Sequence, residues 1–217
     1  MFTDIEGYTA IMQRSEEEGL RLRTRHRAVF EASMQRHGGR LIQYFGDGTL
    51  SIFHSAKQAL ASARELQAAF NRPPLVPVRI GLHCGVVVLD EFDIIGDAVN
   101  IAARVESAAL PGSVLLTETV ARELSGADSF PVVALGGFRF KNDRYVRKLY
   151  ALRSPALRLP TREEIQLRKV GMDPALHTAS WWRMIGIAYR LFSRGLTVGA
   201  EHLFQPLAQN RVSSVQR

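Results

Sequence analysis

The stretch YFGDGTLSIF, residues 44–53, is the most informative in the chain. Two short apolar runs flank Gly46-Asp47-Gly48, which predicts a β-hairpin with an aspartate in its turn. A second aspartate, Asp4, ends a short apolar run in FTDIEGYT, residues 2–9. Acidic side chains at the ends of adjacent strands suit Mg²⁺, because hard cations prefer oxygen ligands. A lone aspartate in such a turn is ordinary turn chemistry, so the meaning of the pair depends on the rest of the chain.

Composition sets broad limits on the kind of protein. The chain has 217 residues, of which 46% are hydrophobic and 23% charged, a balance typical of a globular protein. Its one cysteine, Cys84, excludes an internal disulfide and favours a reducing, cytoplasmic setting. Acidic residues near the N-terminus interrupt any apolar run of the signal-peptide kind, and no uncharged run reaches membrane-spanning length.

The periodicity of the first 152 residues alternates between strands and helices. Helices are predicted at 15–37, 55–70, 98–110 and 117–124, and strands at 1–4, 40–45, 49–54, 78–89, 113–116, 130–135, 138–141 and 145–152. This order predicts an α+β fold, a mixed sheet with helices packed mainly on one face. We expect residues 1–152 to form one domain.

The last 65 residues differ in character. Residues 153–217 hold ten Lys and Arg against four Asp and Glu, so most of the net charge of +7 lies there. Residues 153–160 have the composition of a linker, and the stretch from Trp182 to Arg194 has the periodicity of a basic amphipathic helix. The tail is expected to contact an anionic membrane surface or a protein partner, or to dock on its own domain; nucleic acid is not expected.

Five segments together resemble the catalytic domain of class III nucleotide cyclases, in order and in spacing. They are FTDIEGYT (2–9), YFGDGTLSIF (44–53), VRIGLHCGVVV (78–88), DIIGDAVNIAARVE (93–106) and FRFKNDRYVRKLY (138–150). The resemblance covers roughly residues 1–152. It implies a ferredoxin-like sheet, a head-to-tail homodimer and conversion of a nucleoside triphosphate to a 3′,5′-cyclic nucleotide and pyrophosphate.

The resemblance also implies a metal site. Asp4 and Asp47 match the two metal-binding carboxylates of the family, and the backbone carbonyl of Ile5 is a further ligand. They are expected to hold two divalent ions, Mg²⁺ or Mn²⁺. One ion lowers the pKa of the ribose 3′-hydroxyl and the other holds the triphosphate.

Three further residues match catalytic and phosphate-binding positions of the family. Asn100 and Arg104 are four residues apart in a predicted helix and therefore share a face. By resemblance, Asn100 orients the ribose and Arg104 neutralises charge that develops on the α-phosphate. Lys141 matches the lysine that grips the terminal phosphates, although Asn142 replaces the usual glycine. In the family these three come from the subunit opposite the metal carboxylates.

The base-reading positions depart from the adenylate pattern. Gln43 stands where a lysine is usual, and Asp93 keeps the adenylate-type residue. Tyr44 stands where threonine is common, and a ring that entered the pocket would favour a smaller base. The sequence therefore slightly favours a pyrimidine substrate, as in bacterial anti-phage cyclases that make cyclic UMP or cyclic CMP. Adenylate cyclase is the alternative, and a silent cyclase-like module that binds nucleotide or dimerises is an alternative of another class.

Overall fold

A seven-stranded mixed sheet forms the centre of the protein. A computed structural model describes residues 1–89, 94–124, 130–141 and 143–171. The strands are β1 Phe2–Ile5, β2 Arg40–Phe45, β3 Gly48–Ile52, β4 Val78–Leu82, β5 Val88–Leu89, β6 Ile94–Ile95, β7 Val114–Thr117, β8 Val132–Arg139 and β9 Val146–Leu152. The main sheet has the order β2-β3-β1-β4-β7-β9-β8, and β5 pairs with β6 in a separate ribbon.

Helices cover both faces of this sheet, with the larger number on one. They are α1 Tyr8–Arg14, α2 Glu16–His37, α3 Ala56–Phe70, α4 Asp97–Ala108, α5 Glu118–Glu123 and α6 Arg162–Gly171. Side chains of α2, α3 and α5 belong to one apolar core, and side chains of α4 and α6 belong to a second. The predicted α+β class is therefore confirmed, and α4 and α6 add a smaller layer on the opposite face.

The predicted helix boundaries follow from local capping chemistry. The hydroxyl of Ser15 accepts a hydrogen bond from the Glu18 backbone N–H at 3.2 Å and starts α2. Gly38 ends the same helix with φ of 64°, a left-handed conformation that favours glycine. Ser55 caps α3 in the same way through the N–H of Gln58.

Several elements differ from the sequence prediction. Residues 130–141 were expected to form two strands, but the structure has one strand, β8, with a bulge between Ala134 and Gly136. The long β-like run at 78–89 divides into β4 and the short β5. Helices α1 and α6 were not predicted, although Thr161 and Glu164 form a capping box at the start of α6, with bonds of 2.8 and 3.2 Å.

Residues beyond 152 continue to pack on the domain. Leu157 is buried in the first core and Ile165 is completely buried in the second. The backbone N–H of Arg158 donates to the carbonyl of Gly112 at 2.9 Å. Residues 153–160, predicted to be a linker, are thus held against the domain. The predicted amphipathic helix at 182–194 lies outside the described residues. Among the helices that the structure describes, none is long and apolar enough to cross a membrane.

The register of the strands decides which side chains share a face. Thr3 lies opposite Thr49 and Ile80, and these three point toward α2 and α3. Thr3 bonds Thr49 at 2.7 Å and the buried His26 of α2 at 3.1 Å. Burial lowers the pKa of His26 to about 4, so this polar contact is neutral near pH 7.

On the other face of the central strands, the backbone of α4 packs very close to β4. Phe2 lies opposite both Leu50 and Gly81, and Gly81 lies under α4. A Cβ at Gly81 would lie 2.1 Å from the backbone nitrogen of Glu106. Only glycine therefore permits α4 to pack this closely on β4.

Replacement of Gly81 tests this close contact. We expect Gly81→Ala to lower the free energy of unfolding by about 3 kcal/mol, because backbone must move to admit the methyl group. Gly7→Ala is the control: its φ of 69° carries strain of about 1–2 kcal/mol, but no atom lies within 4 Å of the new Cβ. Chemical denaturation of both variants measures the difference, and equal losses would contradict the packing argument.

Candidate active site

Two carboxylates meet where β1 ends and the β2–β3 hairpin turns. Asp47 accepts a hydrogen bond from the backbone N–H of Ile5, at 3.3 Å, and its carboxyl group also bonds that of Asp4. Gly48 keeps the turn against β1, since a Cβ there would lie 3.0 Å from the carbonyl oxygen of Thr3. Asp4, Ile5 and Asp47 are therefore brought together, as the sequence predicted.

The electrostatics of this pair would favour a bound cation. Burial, followed by the charge of Asp4, raises the pKa of Asp47 to about 7. Two carboxylates this close repel one another when both are ionised, and a divalent cation between them would relieve that repulsion. Among the described residues no cluster of three or more His, Cys, Asp or Glu could hold a metal. The two aspartates and the Ile5 carbonyl would offer only oxygen ligands, which suit Mg²⁺ or Mn²⁺. A set this small would leave positions for substrate oxygens.

A buried arginine stands directly behind Asp4. Arg79 of β4 lies opposite Asp4 in the strand register, and its guanidinium forms an ion pair with the Asp4 carboxylate. Arg79 Nε is also 3.1 Å from Glu6 Oε2 and 3.0 Å from Glu106 Oε1. Burial opposes the charge of Arg79, but the three carboxylates more than compensate, and the pKa of Arg79 is raised.

Glu106 supplies the most deeply buried member of this group. Its side chain is completely buried, and burial raises its pKa to about 8 in spite of Arg79. On α4 it lies on the same helical stripe as the apolar Val99 and Ala102. A buried ion pair adds little net stability, because the free energy of desolvating both charges offsets their attraction. The contact between Arg79 and Glu106 therefore serves to hold the charged groups in place.

Sequence reasoning did not identify Arg79, Glu106 or Glu6. The signal for the first was present: a single charge in the apolar run VRIGL predicts a buried partner. Glu106 similarly interrupts the apolar stripe of α4. Which carboxylates Arg79 would meet depends on strand register, which the sequence alone does not supply.

The other predicted catalytic residues lie farther along the sheet. Asn100 and Arg104 are half-buried on one face of α4. Arg147 of β9 bonds Asp143 through two nitrogens, at 2.8 and 3.2 Å, and Arg104 is the weaker positive neighbour that also lowers the pKa of Asp143. This places Arg104 beside the β8–β9 hairpin, where Lys141 is exposed.

The hairpin that carries Lys141 lies apart from the acidic pair. The strand order puts β9 three strands from β1, or about 14 Å at ordinary strand spacing. The structure therefore brings Asp4, Ile5 and Asp47 together, and brings Arg104 to the hairpin that carries Lys141.

The predicted base-reading residues point in different directions. In β2 a bulge between Leu41 and Gln43 puts Gln43 opposite Leu50, on the α4 face, and Tyr44 opposite Thr49, on the α2 face. The Tyr44 hydroxyl donates to Glu31 Oε1 at 2.7 Å, and Arg27 lies 4.3 Å from the ring centre. Asp93 lies outside the described residues.

Comparison with known proteins identifies the family. The profile of the adenylate and guanylate cyclase catalytic domain matches residues 1–154. The chain belongs to this family. It is 33% identical over 147 residues to putative adenylate cyclase 3 of Rhizobium meliloti, and 31% identical over 156 residues to an adenylate cyclase of Anabaena cylindrica. These matches cover 64% and 60% of this chain, but only 25% and 31% of those proteins. The cyclase domain thus spans about a quarter to a third of its curated relatives.

Solved structures support the fold. An adenylate/guanylate cyclase/hydrolase from Silicibacter pomeroyi has a TM-score of 0.62 at 29% identity, over 70% of this chain and 94% of that one. An adenylate cyclase from Trypanosoma brucei, described in its monomeric state, has a TM-score of 0.68 at 24% identity, over 74% and 89%. The prediction of a class III nucleotide cyclase domain is confirmed.

The raised pKa of Asp47 makes a prediction for stability in the absence of metal. The native state binds a proton at Asp47 more tightly than the unfolded state does. Protonated Asp47 therefore contributes to the free energy of unfolding below pH 4, and that contribution is lost as the pH rises to about 7. We therefore expect Asp47→Asn to be more stable than the parent at pH 8 and similar at pH 4. Urea denaturation with chelator at both pH values measures this.

Metal addition provides the control for that experiment. Mn²⁺ at pH 8 should stabilise the parent and leave Asp47→Asn little changed, because a ligand that binds only the native state raises its stability. A parent that gains stability between pH 4 and pH 8 relative to Asp47→Asn would contradict the assignment.

Proposed function

We propose that two copies of this cyclase domain form a head-to-tail dimer that converts ATP to 3′,5′-cyclic AMP and pyrophosphate. The observation that carries the proposal is the half-buried acidic pair, Asp4 and Asp47, at the ends of adjacent strands. The family match supports the reaction class.

The metal ions and the two aspartates have complementary roles. Asp4, Asp47 and the carbonyl of Ile5 hold two divalent ions, Mg²⁺ or Mn²⁺. Bound there, the ions make the ribose 3′-hydroxyl a better nucleophile and neutralise the triphosphate. The hydrogen bond from the Ile5 backbone N–H keeps Asp47 at the strand end, where the two aspartates would hold the ions.

The second group of residues acts on the substrate from the partner subunit. Asn100 orients the ribose, Arg104 neutralises charge on the α-phosphate as the 3′-oxygen attacks, and Lys141 binds the terminal phosphates. Within one protomer the hairpin that carries Lys141 lies three strands from the acidic pair, and this supports a shared site. Each dimer then has two equivalent sites, each with aspartates from one copy and Asn100 and Arg104 from the other.

The position of Tyr44 favours ATP over a pyrimidine. The pyrimidine prediction required the ring to narrow the base pocket, but the ring packs between Arg27 and Glu31 of α2. Gln43 lies on the α4 face, where its amide can both donate to and accept from a base. Relatives named adenylate cyclase add support. The anti-phage role depended on a pyrimidine product and is not part of this proposal.

The role of the basic tail stays a prediction. Contact with an anionic membrane surface or a protein partner would fall largely on residues 172–217, which lie outside the described residues. Liposome sedimentation with and without those residues would test it.

Complementation tests the shared site. Asp47→Ala and Arg104→Ala chains should each be inactive alone. Mixed and allowed to exchange subunits, they should regain about a quarter of the parent activity, because half of the dimers are mixed and each has one intact site. Formation of cyclic nucleotide from ATP measures the rescue.

Two results would contradict this arrangement. Absence of rescue in dimers proven to be mixed would show that the two groups do not meet across the interface. Absence of any cyclic product from the parent chain, with each nucleoside triphosphate and with Mg²⁺ or Mn²⁺, would favour the silent-module alternative.

Substrate choice is tested by Tyr44→Thr. We expect ATP to be the preferred substrate among the four triphosphates, and the preference to be unchanged in Tyr44→Thr because the ring faces α2. Gln43→Ala is the matched variant on the opposite face and should lower kcat/KM for ATP about tenfold, the loss of one or two hydrogen bonds. Initial rates with all four substrates decide this, and a UTP or CTP preference lost in Tyr44→Thr would restore the pyrimidine prediction.

A further inference from the structure

Glu6, two residues beyond Asp4, is held by two arginines from distant parts of the chain. Its Oε2 atom lies 3.1 Å from Arg79 Nε of β4 and 2.6 Å from Arg168 Nη2 of α6. Its backbone N–H donates to the carbonyl of Pro77 at 2.8 Å. Main chain and side chain of Glu6 are therefore both fixed immediately after the Asp4–Ile5 pair.

Arg168 is itself held firmly in place. Its Nε donates to the backbone carbonyl of Ser107 at 3.0 Å while Nη2 donates to Glu6. The helix that carries it is anchored by the completely buried Ile165 and by Arg162, which donates to the carbonyl of Leu135 at 2.9 Å. Arg168 therefore joins the end of β1 to the end of α4 from a rigid base.

We propose that Glu6 and Arg168 are positioning residues for the metal site, a clamp that fixes the Asp4–Ile5 segment so that the Asp4 carboxylate and the Ile5 carbonyl keep the spacing that divalent ions require. The proposal rests on the metal role of Asp4 and Asp47. It also gives α6 a role in positioning the metal ligands, although α6 lies beyond the residues matched by the family profile.

The clamp can be distinguished from a simple effect of charge. If only charge mattered, loss of Glu6 would weaken cation binding and loss of Arg168 would strengthen it, because the two charges are opposite. If the two residues act by position, loss of either weakens cation binding. Partners that orient metal ligands typically change affinity by tenfold or more, so the effect is measurable.

The experiment measures Mn²⁺ affinity of the full chain by electron paramagnetic resonance, without nucleotide, together with the melting temperature. Glu6→Gln and Arg168→Gln should each bind Mn²⁺ about tenfold more weakly, and the double variant should be no worse than the weaker single variant, because both changes open the same clamp. Arg168→Lys keeps the charge but lacks the planar fork that reaches Glu6 and Ser107 together, so its affinity should fall between those of the parent and Arg168→Gln.

Two controls separate the possible failures. Arg158→Gln removes the same charge next to α6 and should leave Mn²⁺ affinity unchanged, because the side-chain partner of Arg158 among the described residues is Glu164, at 2.7 Å. Asp47→Ala should abolish tight binding; if it does not, the metal role is wrong and the clamp falls with it. If Asp47→Ala behaves as expected but Arg168→Gln binds Mn²⁺ as well as or better than the parent, the clamp is wrong. Should Arg168→Gln fail to fold, parent-like affinity in Arg168→Lys overturns the proposal.

Discussion

The ion pair between Asp4 and Arg79 is the constraint on which the site depends. The two residues face each other across the central strands β1 and β4, so a carboxylate that would otherwise be repelled by Asp47 has a permanent counter-charge. Arg79 is buried and must itself be neutralised, which brings Glu106 and Glu6 to the same point. Four carboxyl groups and two arginines then share a small volume, where burial raises the pKa of both Asp47 and Glu106, and a bound divalent ion would favour the ionised form of Asp47.

This cluster also explains why α4 lies where it does. Glu106 reaches Arg79 only because Gly81 lets the helix backbone approach the sheet without an intervening side chain. The same helix carries Asn100 and Arg104 at its other turns. The helix that serves one active site of the proposed dimer is therefore joined, through Glu106 and Arg79, to the carboxylate that serves the other.

Sequence patterns predicted those features that depend on local chemistry. The bounds of α2 and α3 and the Gly-Asp-Gly turn each depend on signals within a few residues of the structure they specify, and the acidic pair followed from two strand ends. The sequence left two directions open for Tyr44, and the structure places its ring opposite Thr49, on the face away from Gln43, as alternation between neighbouring strand residues requires. The Arg79 cluster was missed because β1, β4, α4 and α6 meet only in the folded chain. The predicted break between strands 130–135 and 138–141, at Gly136-Gly137, is a bulge within the single strand β8.

The proposed dimer separates the residues assigned to metal binding from those assigned to the transition state, and this separation has a physical advantage. Asp4 and Asp47 need a neighbouring positive charge to coexist before metal arrives, and Arg79 supplies it from behind. A second arginine placed in front, within the same protomer, would compete with the metal for the same oxygens. Arg104 instead lies near Asp143 of the β8–β9 hairpin, and in the proposed dimer it reaches a phosphate that is bound by the partner copy. Assembly of the dimer would then bring the guanidinium of Arg104 to the site only when substrate phosphates are bound there.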